Sequence, residues 1–305
     1  MTADRSRTSK LAELVVDCRC VLGESILWCS RREVLWWSDI QSSRLWMHSP
    51  QKRVTRHWTL PDRLGSLGLC ESGKLLLGLA KGLFLADVEG SSERIVPVQL
   101  LTSVEGDDPR TRINDGRCDR AGNFVFGTLN EDSARAPIGS FYQYSAAGLR
   151  RLNLDGVAIP NSICFSPAGN TLYYCDSTQP RILCCDYDAE SASTTDGRVF
   201  VSLSTRGSCA DGSTVDAEGY LWNAEWGAAR VVRYTPQGQI DRVVAVPAKH
   251  PSCVAFGGRQ LHHVYVSTAQ IGLRAEELGR VPESGGVYGW LSEVRGLPEG
   301  RVRHL

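Results

Sequence analysis

The sequence predicts an all-β fold, a six-bladed β-propeller. Three observations point to it. Short apolar or aromatic runs bracketed by Gly, Asp, Asn or Ser dominate the chain, such as Val34–Trp37, Leu75–Leu77, Thr171–Tyr174, Tyr220–Trp222 and Val264–Val266. No long segment carries the three-to-four-residue apolar spacing of an amphipathic helix; Ala275–Leu278 has room for one helical turn. A polar or glycine anchor recurs at Glu24, Gly65, Asn114, Asn161, Asp211 and His250, with spacings of 41, 49, 47, 50 and 39 residues. Repeats of that length, each with about four short strands, describe propeller blades rather than a two-sheet sandwich.

The repeat extends beyond its anchors. Eight residues after each stand Arg32, Gly73, Gly122, Gly169, Gly219 and Gly258. Glycine at a fixed offset suits a tight hairpin that needs positive φ. The strand that follows ends in a polar residue at Asp39, Asn130, Asp176 and Glu225. Longer intervals mark surface insertions at 104–109 and 190–197. The run from Leu11 to Asp17 is expected to pair with Val287–Trp290 in the last blade, closing the ring and removing a sheet edge. One domain is expected over residues 1–305, with residues 1–10 a disordered N-terminal tail.

Composition bounds the function. Lys plus Arg and Asp plus Glu each number 34, so formal net charge is zero and no general positive field draws nucleic acid. The 11 cysteines include no CxxC pair, which disfavours a zinc ribbon. The first residues are polar, and the apolar run Leu14–Val16 is too short for a signal peptide, so a cytoplasmic protein with reduced thiols is expected. No stretch approaches the ~18 apolar residues of a membrane span. Nucleic acid and membrane are therefore not expected partners, and a monomer or weak homo-oligomer is expected.

In a propeller the inner strand of each blade lines the channel, so equivalent positions converge. Glu24, Asn114, Asn161 and Asp211 would meet at one mouth. Carboxylates and amide oxygens are hard ligands suited to a divalent cation, which predicts a central metal site. Arg112, two residues before Asn114 on a strand, points the same way as Asn114. Asp115 points the other way and reads as a turn or supporting carboxylate. His250 or Ser252 stands at the sixth anchor, with a pocket-wall role expected for His250. Trp36, Trp37 and Trp222 read as core; Trp226 reads as core or as a stacking surface at the mouth. Cys118, Cys164 and Cys253 read as small buried hydrophobes. No Gly-x-Ser-x-Gly elbow, Gly-x-Gly-x-x-Gly or Walker loop occurs.

Several blocks carry a family likeness. Gly23-Glu24-Ser25, Arg112-Ile113-Asn114-Asp115-Gly116, Pro160-Asn161-Ser162 with Phe165-Ser166-Pro167, and Ala210-Asp211-Gly212 with Leu221-Trp222 resemble the SMP-30/gluconolactonase/regucalcin-like family, from about Val16 to Trp290. Ser162 stands where that family often has Gly, and Ala210 where it often has Pro.

The resemblance implies a propeller with one divalent cation, whether Ca, Zn, Mn, Mg or Fe, held by Glu24, Asn161 and Asp211. It implies substrate contacts from Arg112, Asn114 and an acid at Glu131 or Asp132, with Asp211 also the general base. The implied reaction is hydrolysis of a sugar lactone. The alternatives are a non-catalytic calcium-binding or partner-binding propeller, and a metal-dependent esterase or organophosphate hydrolase.

Overall fold

The structure, a computed structural model, describes residues 10–88, 91, 94–195, 197–203, 205 and 207–305. It is a six-bladed β-propeller. The first blade runs outward through Gly23–Cys29, Val34–Asp39, Arg44–Ser49 and Val54–Thr59. The second uses Leu64–Cys70, Leu75–Leu79, Gly82–Ala86 and Gln99–Ser103. The third uses Thr111–Cys118, Phe124–Asn130, Phe141–Ser145 and Gly148–Arg151. The fourth uses Pro160–Phe165, Thr171–Asp176 and Arg181–Asp188, with Ser193–Thr194 and Arg198–Ser202 both on the third strand. The fifth uses Cys209–Val215, Leu221–Trp226, Arg230–Tyr234 and Ile240–Ala245. The sixth uses Pro251–Gly257, His263–Thr268 and Val287–Leu291, completed by the early strand Glu13–Val16.

That last pairing is the expected ring closure. Glu13 pairs Gly289, Leu14 pairs Tyr288 and Val16 pairs Val287, all antiparallel. Lys10–Leu11 adds a short parallel edge to the fifth blade. Residues 1–9 of the expected tail lie outside the described residues, whereas Lys10 begins this strand. The expected helical turn is a helix over Ala275–Arg280. Among the described residues, no helix is long and apolar enough to cross a membrane.

Alternation of side chains along each strand sends alternate residues to the two neighbouring blades. The core is therefore six wedges, one at each blade interface. Trp36, Leu67 and Leu77 fill the wedge between blades one and two; Leu76, Ile113 and Phe124 fill the next. Val125, Ile163 and Leu172, then Tyr173, Val215 and Leu221, fill the third and fourth. Trp222, Phe256 and Trp290, then Trp28, Trp37 and Tyr265, complete the ring. Each fully buried Leu or Phe contributes about 1.5–3 kcal/mol. Outer strands lie at the water: Val54–Thr59 is exposed at nearly every residue.

The hairpin glycines behave as their spacing predicts. Gly73, Gly122, Gly169, Gly219 and Gly258 all have positive φ, from 78° to 94°. In the first blade the left-handed residue is Glu33, at φ 53°, one position after the expected Arg32. The loop at 104–109 is surface-exposed at its tip, but Val104 is buried at its base.

One end of the channel is stoppered. Arg301–Val302 runs parallel to Leu69–Cys70 of the second blade's inner strand. Just before it, Glu299 accepts from Arg117 at 2.7 Å. Arg117 also donates to Thr214 Oγ1 and Val254 O, tying blades three, five and six. The space left between Asp115, Arg117 and Glu299 is a cavity of about 10 Å³, room for roughly one water.

Candidate active site at the channel mouth

Each inner strand breaks register near its start. Pairing shifts between Glu24 and Leu27, Leu64 and Ser66, Ile113 and Gly116, Asn161 and Cys164, Ala210 and Ser213, and Pro251 and Cys253. Such bulges re-aim side chains and free backbone groups from the ladder. Ser25 and Ser162, the residues after Glu24 and Asn161, sit in the left-handed region at φ 52° and 61°. Both serines then cross to the next blade: Ser25 Oγ donates to Gly65 O at 2.9 Å and Ser162 Oγ to Asp211 O at 2.6 Å. A serine hydroxyl makes a link here that glycine could not.

The bulges gather the predicted polar residues. Arg112, Asn114, Asp115, Asn161 and Asp211 are all buried, and Glu24 is half-buried. Arg112 Nη1 donates to Asn114 Oδ1 at 3.0 Å and to Ile113 O at 2.8 Å. Asn114 Nδ2 donates to Asn161 Oδ1 at 3.1 Å and to Pro160 O at 2.9 Å. Asn161 Nδ2 donates to Ser177 Oγ at 2.9 Å, and Ser177 Oγ donates to Ala210 O at 2.7 Å. The chain runs from blade three through blade four to the residue before Asp211.

Asp115 turns away from Asn114, as strand alternation predicts. Its carboxylate accepts from Gly116 N at 2.8 Å and from Ile163 N of the next blade at 2.9 Å. Of the two candidate acids, the structure brings Glu131 to the wall. Glu131 Oε1 stands 3.5 Å from Arg112 Nε, and both its oxygens accept from Arg63. Asp132 is exposed, and its backbone N–H caps on Asn130 Oδ1.

At the sixth anchor the bulge falls on Ser252, not His250. Ser252 is fully buried and donates to Gly23 O, beside Glu24. His250 precedes the strand and stacks on Trp226, with ring centroids 4.3 Å apart and planes 8° apart. Burial holds its pKa below the usual imidazole value.

The electrostatics single out two carboxylates. Burial pushes Glu24 up to about 8, reinforced by the charge of Asp115. Burial and then Glu24 push Asp211 well above the carboxylate range. Asp211 Oδ1 is buried with no hydrogen-bond partner. A buried carboxylate oxygen without a donor is costly, and two facing carboxylates compound the cost. A divalent cation removes both penalties, so the residues present fit one. Glu24, Asn161 and Asp211 could hold it, a set of two carboxylates and an amide. Among the described residues, no group of three or more His, Cys, Asp or Glu side chains is arranged for a metal. Arg112 is pushed down to about 10 by burial, opposed by Glu131. Glu131 is held low chiefly by its hydrogen bonds to Arg63.

The model of the SMP-30/gluconolactonase/LRE-like region matches residues 22–270. The chain belongs to the SMP-30/gluconolactonase/LRE-like family. An L-arabinolactonase of Azospirillum brasilense is 41% identical over 282 residues, covering 91% of this chain and 90% of that protein. A 6-deoxy-6-sulfogluconolactonase of Pseudomonas putida is 32% identical, covering 93% and 96%. The crystal structure of a calcium-binding protein, regucalcin from Agrobacterium tumefaciens, superposes with a TM-score of 0.89 at 29% identity, covering 96% of this chain and 98% of that one. The family match spans every inner strand of the propeller, from Leu22 before Glu24 to Gln270 beyond the sixth-blade strand His263–Thr268.

Two mouth residues, Ser177 and Arg63, were not among those singled out from the sequence. Ser177 had a signal. It directly follows the polar end of its return strand, as Glu131 follows Asn130 and Trp226 follows Glu225. The polar ends themselves do structural work: Asp39 accepts from Val21 and Leu22 N–H, and Asp176 accepts from Ala158 and Ile159 N–H. In blades three and four the position one further on holds Glu131 and Ser177, which contact Arg112 and Asn161, whereas the first blade has the buried Ile40 there. Arg63 stands two residues before its anchor Gly65, the offset that Arg112 holds from Asn114.

Proposed function

We propose that the protein hydrolyses the lactone of a five- or six-carbon sugar acid, with one divalent cation held by Glu24, Asn161 and Asp211. The observation that carries the reading is the buried, partnerless Asp211 Oδ1 facing Glu24, with a donor-and-acceptor wall of Arg112, Asn114 and Glu131 beside it. The names borne by the arabinolactonase and sulfogluconolactonase relatives support it.

Water adds to the lactone carbonyl carbon, the ring carbon–oxygen bond breaks, and the products are a carboxylate and a freed hydroxyl. Asp211 accepts a proton of the attacking water and returns it to the departing ring oxygen, and the new carboxylic acid gives up its remaining proton to solvent. Arg112 and Asn114 orient the sugar through its oxygens, and Glu131 accepts from a ring hydroxyl. When bound, a divalent cation supplies Lewis acidity toward the ester carbonyl and toward water. The stopper at Arg117 and Glu299 leaves substrate one way in and product one way out. A polyol fits this wall better than an aryl ester or organophosphate, which calls for an apolar pocket.

The test is turnover of a panel of five- and six-carbon aldonolactones, with and without a chelator. At least one lactone should be hydrolysed, and cation removal should slow it by about 100-fold or more, the effect of several kcal/mol of lost transition-state stabilisation. Undiminished turnover without cation overturns the mechanism. Cation binding with no turnover of any lactone would instead favour a calcium-binding propeller, as the Agrobacterium regucalcin structure is described.

A further inference from the structure

Arg63 immediately precedes the inner strand of the second blade and reaches over the mouth to Glu131. Nη1 donates to Oε1 at 2.5 Å and Nη2 to Oε2 at 2.9 Å, a two-pronged grip that fixes the plane of the carboxylate. Arg112 Nε is 3.5 Å from the same Oε1 at an ion-pair contact, and that N–H is buried without a hydrogen-bond partner. One carboxylate thus lies between two guanidinium groups but is bonded by one of them.

The choice runs against simple electrostatics. Arg112 is 7% exposed at its side chain and Arg63 is 31% exposed. A pair with the more buried guanidinium is the stronger Coulombic attraction. An unrestrained Glu131 would close onto Arg112 and consume its free N–H. We propose that Arg63 is a positioning residue for substrate binding. By gripping Glu131 it holds the carboxylate off Arg112. Arg112 Nε–H then stays available to a substrate oxygen, and the outer lone pairs of Glu131 stay available to a substrate hydroxyl. A carboxylate offers about four lone-pair sites, so the grip leaves acceptors to spare. This role rests on the lactonase reading for its substrate, but not for its geometry.

The test compares Arg63→Ala and Arg63→Lys with the wild type on an aldonolactone and on γ-butyrolactone, which carries no hydroxyls. For Arg63→Ala, KM for the aldonolactone should rise about tenfold with kcat within about twofold, the size of one lost charge-assisted contact. The loss on γ-butyrolactone should be at least about threefold smaller, and Arg63→Lys should recover part of it. In a Glu131→Gln background, Arg63→Ala should add no further loss. Equal losses on both lactones, or losses that add fully in that background, overturn the proposal. Calorimetric affinity for a five-carbon polyol, ribitol, reads the same wall without turnover. Arg63→Ala should weaken it about tenfold; unchanged affinity would overturn the role even if no lactone is a substrate.

Discussion

Ser177 has one proton to give, and it gives it to Ala210 O, 2.7 Å away. It can therefore only accept from Asn161, so Asn161 Nδ2 must face it and Asn161 Oδ1 must face the mouth. The same count fixes Asn114: Nδ2 serves Pro160 O and Asn161, leaving Oδ1 for Arg112. A proposed ligand oxygen is thus aimed by a hydroxyl one blade position away. Ser177→Ala should lower divalent-cation affinity about tenfold, within the range for groups that orient metal ligands. Calorimetric titration of the chelated variant checks this; wild-type affinity would show that Asn161 needs no such orienting partner. Glu24, Asn114, Asn161 and Asp211 were legible as channel-mouth residues because each stands at a repeated offset, and the family resemblance separated the proposed ligands Glu24, Asn161 and Asp211 from Asn114. Ser177 and Arg63 also stand at repeated offsets, one past a polar strand end and two before an anchor, but the spacing does not show their partners: Ser177 meets Asn161 across blade four, and Arg63 reaches over the mouth to Glu131. The choice of Glu131 over Asp132 was also beyond the sequence, since both follow the strand and only the chain's turn at Asn130 decides which faces Arg112.

At the scale of elements, the hairpins are where spacing and structure agree best. A positive φ is a steric demand of one position, and glycine advertises it. The demands still differ between hairpins. Gly122 has φ 94°, and a Cβ there would lie 2.4 Å from Arg303 Cγ and 3.0 Å from the Arg301 carbonyl oxygen. Gly148 has φ 91°, with nothing within 4 Å of the same atom. Gly148→Ala should cost about 1 kcal/mol, the backbone strain alone. Gly122→Ala should cost about 2–3 kcal/mol, because it also pushes on the C-terminal strand that stoppers the channel. Urea unfolding of the two variants measures the difference; equal losses would mean that the stopper yields freely. The sixth blade shows where repeat logic fails. His250 keeps the spacing but precedes the bulge, which falls on Ser252. A Pro at 251 starts the strand there, so the phase slips by two residues.

For the whole molecule, six apolar wedges hold six inner strands in a ring, and the ring turns weakly related sequence positions into neighbours. The wedges were legible as short continuous apolar or aromatic runs, and the ring closure was legible as an extra strand at Leu11–Asp17, which the structure narrows to Glu13–Val16. The stopper was not, because Glu299 and Arg301 lie in a Gly- and Pro-containing tail with no strand pattern. The structure leaves the carboxylates of Glu24 and Asp211 burdened by burial and by each other, and Asp211 Oδ1 without a donor. On the proposed mechanism a divalent cation sits between them and lactone hydrolysis depends on it. The most direct measurement is calorimetric titration of a divalent cation into chelated wild type and Asp211→Ala, with aldonolactone turnover followed in the same samples. The expected result is one site per chain in the wild type, turnover that rises in step with its filling, and loss of both in a folded Asp211→Ala protein. Turnover that is complete before any cation is added, or an Asp211→Ala protein that still binds cation and hydrolyses lactone like the wild type, would contradict it.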